Sequence, residues 1–129
     1  MKVIIADDSK LMRERIREAI SIFRGVEIVS ETENGLQTLE ELKKHNPHLA
    51  IIDIRMPDMN GIEVLKKIRE LKMKVKVCIL TNYPYPQYKK KCLEAGADYF
   101  LSKAEDFEDI KIVITDMLRE TETNDGIKL

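Results

Sequence analysis

Residues 49–53 read Leu-Ala-Ile-Ile-Asp, and this stretch is the clearest indication of the fold class. Four apolar residues follow one another without a polar residue between them, and an aspartate ends the run. A strand with one solvated face alternates apolar and polar residues, whereas a strand covered on both faces is apolar throughout. Strands of the second kind are typical of parallel sheets with helices on both sides. We therefore expect a central parallel strand at residues 49–52.

Strand-like and helix-like patterns alternate along the rest of the chain. Short apolar runs are followed by stretches with apolar residues at helical spacing, such as Leu36, Leu39 and Leu42 in the second helix. Five such units predict parallel strands joined by right-handed helical crossovers. The predicted fold class is α/β, with a doubly wound five-stranded parallel sheet of flavodoxin-like order 2-1-3-4-5, written (βα)5.

The length of 129 residues suits one domain. From about Thr121 the sequence is polar, so we predict a domain at residues 1–120 and a polar, fraying C-terminal tail at residues 121–129. Charged residues make up 35% of the chain, but the formal net charge is only -1. This balance argues against direct nucleic-acid binding, because non-specific binding needs a cationic face.

The sequence also predicts the cellular compartment. The N-terminus lacks the long apolar stretch of a signal peptide, and no segment approaches the ~18 apolar residues of a membrane span. We expect a soluble, cytoplasmic protein without membrane contact. Two cysteines, Cys78 and Cys92, do not make a disulfide framework in a chain of this length, so both are expected to be reduced and buried.

Polar side chains stand where the predicted strands end. Asp7 and Asp8 follow the first strand, Asp53 the third, Thr81 the fourth and Lys103 the fifth. In the expected order the first and third strands meet at the switch point, where open α/β sheets bind ligands. Clustered carboxylates repel one another, and a hard cation such as Mg²⁺ relieves that repulsion. Ionised Asp53 can then act as a nucleophile toward phosphorus, while Thr81 and Lys103 bind phosphoryl oxygens.

Four stretches carry a specific pattern when they are taken together. They are residues 4–9 (Ile-Ile-Ala-Asp-Asp-Ser), 51–61 (Ile-Ile-Asp-Ile-Arg-Met-Pro-Asp-Met-Asn-Gly), 80–81 (Leu-Thr) and 96–103 (Gly-Ala-Asp-Tyr-Phe-Leu-Ser-Lys). The pattern resembles the receiver domains of bacterial two-component response regulators, of the chemotaxis-regulator-like kind, over about residues 1–120. The resemblance implies a switch that a sensor histidine kinase or a phosphotransfer protein phosphorylates with the help of Mg²⁺.

The same resemblance implies roles for four residues around the metal. Asp53 is the phosphoacceptor and one of the Mg²⁺ ligands. Asp8 binds Mg²⁺ directly and Asp7 binds it through water. Arg55 contributes its main-chain carbonyl.

Three further roles concern the phosphoryl group and the readout. Thr81 is the switch hydroxyl that moves toward the phosphate, and Lys103 pairs with the phosphate. Phe100, three residues before Lys103, is the aromatic side chain that changes rotamer on activation. The signal then leaves through the face formed by the fourth helix, the fifth strand and the last helix.

The sequence departs from the family pattern at three places. Ala104 follows the lysine where the family usually has proline, often with a cis peptide, so a trans turn is expected here. Asn82 follows Thr81 where a small residue is usual, and it can hinder access to the site. Residues 83–86 read Tyr-Pro-Tyr-Pro, a stiff loop that predicts a late start of the fourth helix.

Two alternative functions share part of this pattern. A phosphatase of the haloacid-dehalogenase-like kind usually carries Asp-x-Asp after its first strand together with a cap insertion, whereas Asp7 and Asp8 are adjacent and no insertion is present. A degenerate receiver would bind a partner constitutively, without phosphorylation. Because the expected chemistry acts on the chain itself, we do not class the protein as an enzyme.

The downstream partner is a separate effector protein if the chain acts alone, or an output domain that lies outside this sequence. A homodimer that forms on phosphorylation is a further alternative.

Overall fold

The computed structural model describes the backbone of residues 1–127 and the side chains of residues 1–120. It consists of a five-stranded sheet of order β2-β1-β3-β4-β5, in which every neighbouring pair is parallel. The predicted fold class and strand order are confirmed. The elements are β1 (Lys2–Ala6), α1 (Lys10–Ile20), β2 (Glu27–Thr32), α2 (Gly35–His45), β3 (Leu49–Ile52), α3 (Gly61–Glu70), β4 (Lys76–Thr81), α4 (Pro86–Glu94), β5 (Tyr99–Ser102) and α5 (Ile110–Ile127), with a 3-10 turn at Phe107–Asp109 before α5.

Strand β3 lies at the centre of the sheet and is buried on both faces. Alternate residues point to opposite sides, so Ala50 and Ile52 pack in one apolar cluster and Leu49 and Ile51 in the other. Helices α2, α3 and α4 contribute to the first cluster, and α1 and α5 contribute to the second. Burial on both sides explains why residues 49–52 are apolar without alternation.

Polar side chains cap the helices that begin near the carboxyl ends of the strands. Ser9 accepts a hydrogen bond from the amide of Met12 at the start of α1. The Asn60 side chain accepts one from the amide of Glu63 at the start of α3, and the Glu63 carboxylate in turn accepts one from the Asn60 amide. Helix α4 begins at Pro86, in agreement with the late start that the two prolines predict.

Helix α2 is present as predicted, but the leucines whose spacing predicts it are not all buried. Leu36 is 55% exposed, and the buried residues of the helix are Gly35, Thr38 and Leu42. Residues three apart drift around a helix of 3.6 residues per turn, so Leu36 and Leu42 cannot both face the sheet. Thr38 is accommodated in the interior because its hydroxyl bonds with that of Thr32 at 2.7 Å.

Helix α5 continues beyond the predicted domain boundary. Its backbone is helical through residues 121–127, which the sequence assigns to a polar tail, while the side chains of residues 121–129 lie outside the described part of the structure. Among the described residues, no helix combines the length and the apolar character that crossing a membrane requires.

Candidate functional site

Asp53 lies immediately after β3, at the carboxyl edge of the sheet. Its amide donates to the carbonyl of Ala6 at 2.9 Å, and the residue is 6% exposed. The loop that leads into α3 packs directly against it, because the Gly61 amide donates to the Ile54 carbonyl at 2.7 Å. A Cβ atom at Gly61 would lie 2.1 Å from the carbonyl oxygen of Asp53, so only glycine allows this approach.

Three carboxylates converge at this edge. One oxygen each from Asp7, Asp8 and Asp53 lies within 4.8 Å of the others. Asp7 is 1% exposed and its Oδ1 accepts from the Ser9 amide at 2.9 Å, whereas Asp8 is exposed to solvent. The site therefore has a buried interior and an open side.

Lys103 joins the cluster from the end of β5. Its Nζ lies 2.7 Å from Oδ2 of Asp7 and 3.1 Å from Oδ2 of Asp53, and the residue is only 7% exposed. The peptide after Lys103 is trans, as expected with Ala104 in the following position. The trans turn thus still brings the ammonium to both carboxylates.

The electrostatics of the site follow from burial and from the excess of negative charge. Burial raises the pKa of Asp53 to about 6; the nearby Lys103 opposes this shift and the charge of Asp7 adds to it. Burial also tends to lower the pKa of Lys103, but its hydrogen bond to Asp7 and the charge of Asp53 raise that pKa overall. The Lys103 ammonium contacts Asp7 and Asp53 but not Asp8, so part of the negative charge of the three carboxylates is not balanced by it.

These residues fit a hard divalent cation. Their donor atoms are carboxylate oxygens, the kind of ligand that Mg²⁺ prefers, and Asp8 leaves a side open to water and phosphate. A bound cation would also offset the charge that Lys103 does not balance. Arg55 follows Asp53 by two residues, so its carbonyl belongs to the same loop.

Thr81 ends β4 and is fully buried. Its hydroxyl accepts a hydrogen bond from the Tyr83 amide at 2.9 Å, and its carbonyl accepts from the Lys103 amide at 2.8 Å. The structure thus brings Thr81 to the edge that carries Asp53 and Lys103, with its hydroxyl engaged by the loop before α4. Phe100 lies opposite Ile79 in the sheet and packs, partly buried, against the apolar cluster under α3 and α4.

Four contacts near the site were not predicted from the sequence. The guanidinium of Arg55 lies 4.1 Å from the ring centroid of Tyr83, and neighbouring rings follow at 6.4 Å from Tyr83 to Tyr85 and 6.1 Å from Tyr85 to Tyr88. The guanidinium of Arg13 donates to the main-chain carbonyl of Asp7. The sequence feature that could have predicted the Arg13 contact is the position of this residue, one turn into the helix that follows Asp7.

Comparison with known proteins agrees with this geometry. The family model described as the response regulator receiver domain matches residues 3–115. The chemotaxis protein CheY of Bacillus subtilis is 34% identical over 102 residues, which cover 79% of this chain and 84% of CheY. The signal receiver domain of the putative response regulator NarL from Mycobacterium tuberculosis superposes with a TM-score of 0.84 and 31% identity, over 89% of this chain and 93% of that one.

Several relatives are longer than this chain. A putative transcriptional regulator of Pseudomonas aeruginosa is 38% identical over 111 residues, which cover 84% of this chain but only 52% of that protein. The chain therefore spans about half the length of the first curated relatives it matches. A family match over most of the chain and a fold shared with solved receiver domains lead to one conclusion: the chain belongs to the family of response regulator receiver domains of two-component systems.

Proposed function

We propose that this chain is a phosphorylation-dependent signalling switch whose phosphoacceptor is Asp53. The observation that carries the proposal is the position of the Asp53 carboxylate, 3.1 Å from the Lys103 ammonium and clustered with Asp7 and Asp8. The donor is the phosphohistidine of a sensor histidine kinase or of a phosphotransfer protein. Mg²⁺ is the cofactor, held by Asp7, Asp8, Asp53 and the carbonyl of Arg55.

The proposed transfer is a single displacement at phosphorus. A carboxylate oxygen of Asp53 forms a bond to the phosphorus, the bond from phosphorus to the donor imidazole nitrogen breaks, and the imidazole leaves with the electron pair. Lys103 neutralises charge on a phosphoryl oxygen, since its ammonium already contacts Asp53. When bound, Mg²⁺ neutralises further charge on the phosphoryl oxygens.

Thr81 couples the modification to the surface of the domain. Its hydroxyl holds the Tyr83 amide, so a movement of Thr81 toward a phosphoryl oxygen pulls on the loop before α4. Tyr83 contacts Arg55 on one side and Tyr85 on the other, which extends the coupling toward α4. Phe100 is the second switch residue, and the α4–β5–α5 face carries the signal.

The cellular location, the partners and the class of protein are proposed on the basis of this role. The domain acts in the cytoplasm, without membrane contact and without nucleic-acid binding of its own. It signals to an effector protein or to an output domain beyond this sequence, with phosphorylation-dependent homodimerisation as one form of output. It promotes only its own phosphorylation and dephosphorylation, so it is not an enzyme.

The test is intact mass after incubation with acetyl phosphate, with and without Mg²⁺, for wild type and Asp53→Asn. We expect a gain of one phosphoryl group in the wild type that depends on Mg²⁺ and is absent in the variant. No gain under any condition would contradict the proposal. That result would favour the degenerate module, for which the exposed Asn82 beside Thr81 and the Ala104 after Lys103 are the supporting features.

A further inference from the structure

Arg13 reaches from α1 back to the acidic cluster. Its Nη1 donates to the main-chain oxygen of Asp7 at 2.7 Å, and only 15% of the side chain is exposed. A hydrogen bond from a guanidinium is charge-assisted and therefore stronger than one between neutral groups. Arg13 thus binds the backbone of the site, not one of its carboxylates.

This carbonyl belongs to the peptide that links Asp7 to Asp8. Because a peptide is planar, fixing its oxygen also fixes the direction in which the chain enters Asp8. The Asp7 side of that peptide is already held, since its amide donates to the Thr32 carbonyl at 3.0 Å and its carboxylate bonds to Ser9 and Lys103. Asp8 is exposed to solvent, so the orientation of its carboxylate depends mainly on the backbone that precedes it.

Glu31 on β2 holds the arginine in turn. Its carboxylate accepts two hydrogen bonds from Arg17, at 2.8 and 2.7 Å, and lies 3.9 Å from Nε of Arg13. Arg13 and Arg17 therefore share a helix and an acidic partner, but the bond to the Asp7 carbonyl belongs to Arg13. This difference makes Arg17 a matched control.

We infer that Arg13 is a positioning residue of the acidic site, which sets the Asp7–Asp8 peptide in the orientation that binds Mg²⁺. The inference rests on the proposed function, because it assumes that Mg²⁺ binds at these carboxylates. A positioning role and a purely electrostatic role of Arg13 predict opposite changes in the affinity for Mg²⁺. A cation near the site repels Mg²⁺, so loss of the Arg13 charge alone would tighten metal binding, whereas loss of the carbonyl bond weakens it.

The experiment is a calorimetric Mg²⁺ titration of wild type, Arg13→Ala, Arg13→Lys and Arg17→Ala, without a phosphodonor. Circular dichroism at the same temperature establishes that each variant is folded. We expect Arg13→Ala to bind Mg²⁺ about tenfold more weakly than wild type, as for other residues that orient metal ligands. Arg13→Lys should recover part of the loss, since an ammonium can still donate to the carbonyl. Arg17→Ala should stay within about twofold of wild type, because exposed ion pairs contribute little.

Two results would overturn the inference while leaving the proposed function intact. One is a folded Arg13→Ala variant that binds Mg²⁺ as tightly as wild type, or more tightly. The other is an equal loss in Arg13→Ala and Arg17→Ala, which would assign the effect to the shared contact with Glu31. A wild type that binds no Mg²⁺ would overturn the proposed metal site itself, and the inference with it.

Discussion

Replacing Asp53 by asparagine should stabilise the fold in the absence of divalent cations. Burial, helped by the charge of Asp7 and opposed by Lys103, raises the pKa of Asp53 from 3.8 to about 6. The folded state therefore prefers the protonated carboxyl, and keeping it ionised at pH 7 costs stability. Asparagine resembles the neutral carboxyl in shape and carries no charge, so the variant avoids this cost.

The size of the effect follows from the same pKa values. A difference of about two pH units, at about 1.4 kcal/mol for each, corresponds to about 3 kcal/mol. Partial access of water to the site reduces this figure, and we expect Asp53→Asn to raise the free energy of unfolding by about 2 kcal/mol at pH 7. Because the folded pKa is raised, the contribution of Asp53 to stability is full below about pH 4 and is lost as the pH rises through about 6.

The assay is urea unfolding in EDTA, followed by circular dichroism, at several values between pH 4.5 and 7.5. The advantage of Asp53→Asn should be largest above pH 6 and should shrink toward pH 4.5, where the wild-type carboxyl takes up its proton. Glu18→Gln makes the same carboxylate-to-amide change at an exposed position of α1 and should show no such dependence. Added Mg²⁺ should narrow the gap, because a cation that binds the folded wild type more tightly than the folded variant stabilises the wild type more.

Equal stabilities of wild type and Asp53→Asn at pH 7 in EDTA would show that the ionised Asp53 carboxylate does not destabilise the fold. An advantage that does not decline as the pH falls would exclude the ionisation of Asp53 as its cause.

Two other predictions concern packing and the buried thiol. Gly61→Ala should lower the free energy of unfolding by about 2 kcal/mol in urea unfolding, because its Cβ would meet the Asp53 carbonyl oxygen at 2.1 Å; a change below about 0.5 kcal/mol would contradict the close approach. Burial raises the pKa of the Cys78 thiol to about 12, so its contribution to stability is full below the unfolded value near 9 and declines as the pH rises toward 12. Between pH 9 and 10 the wild type should therefore lose about 1 kcal/mol more than Cys78→Ala, and equal pH slopes would exclude this cause.

The α/β architecture and the grouping of polar residues at one edge of the sheet can be predicted from the sequence. Five strand–helix units fit the observed strand order, and the burial of β3 follows from an apolar run without alternation. Because parallel strands present their carboxyl ends at one edge, the sequence predicts that Asp53, Thr81 and Lys103 lie there. These properties follow from local pattern and from general rules of chain topology.

Which atoms come into contact in the site depends on the tertiary structure. Lys103 divides its ammonium between Asp7 and Asp53, and the Thr81 hydroxyl is engaged by the Tyr83 amide. These side-chain contacts depend on packing between segments that are far apart in the chain. Lys103 and Asp53, for example, are 50 positions apart. The exposure of Leu36 has the same origin, since the rotation of a helix about its axis is set by the surface it packs on and not by its own apolar spacing alone.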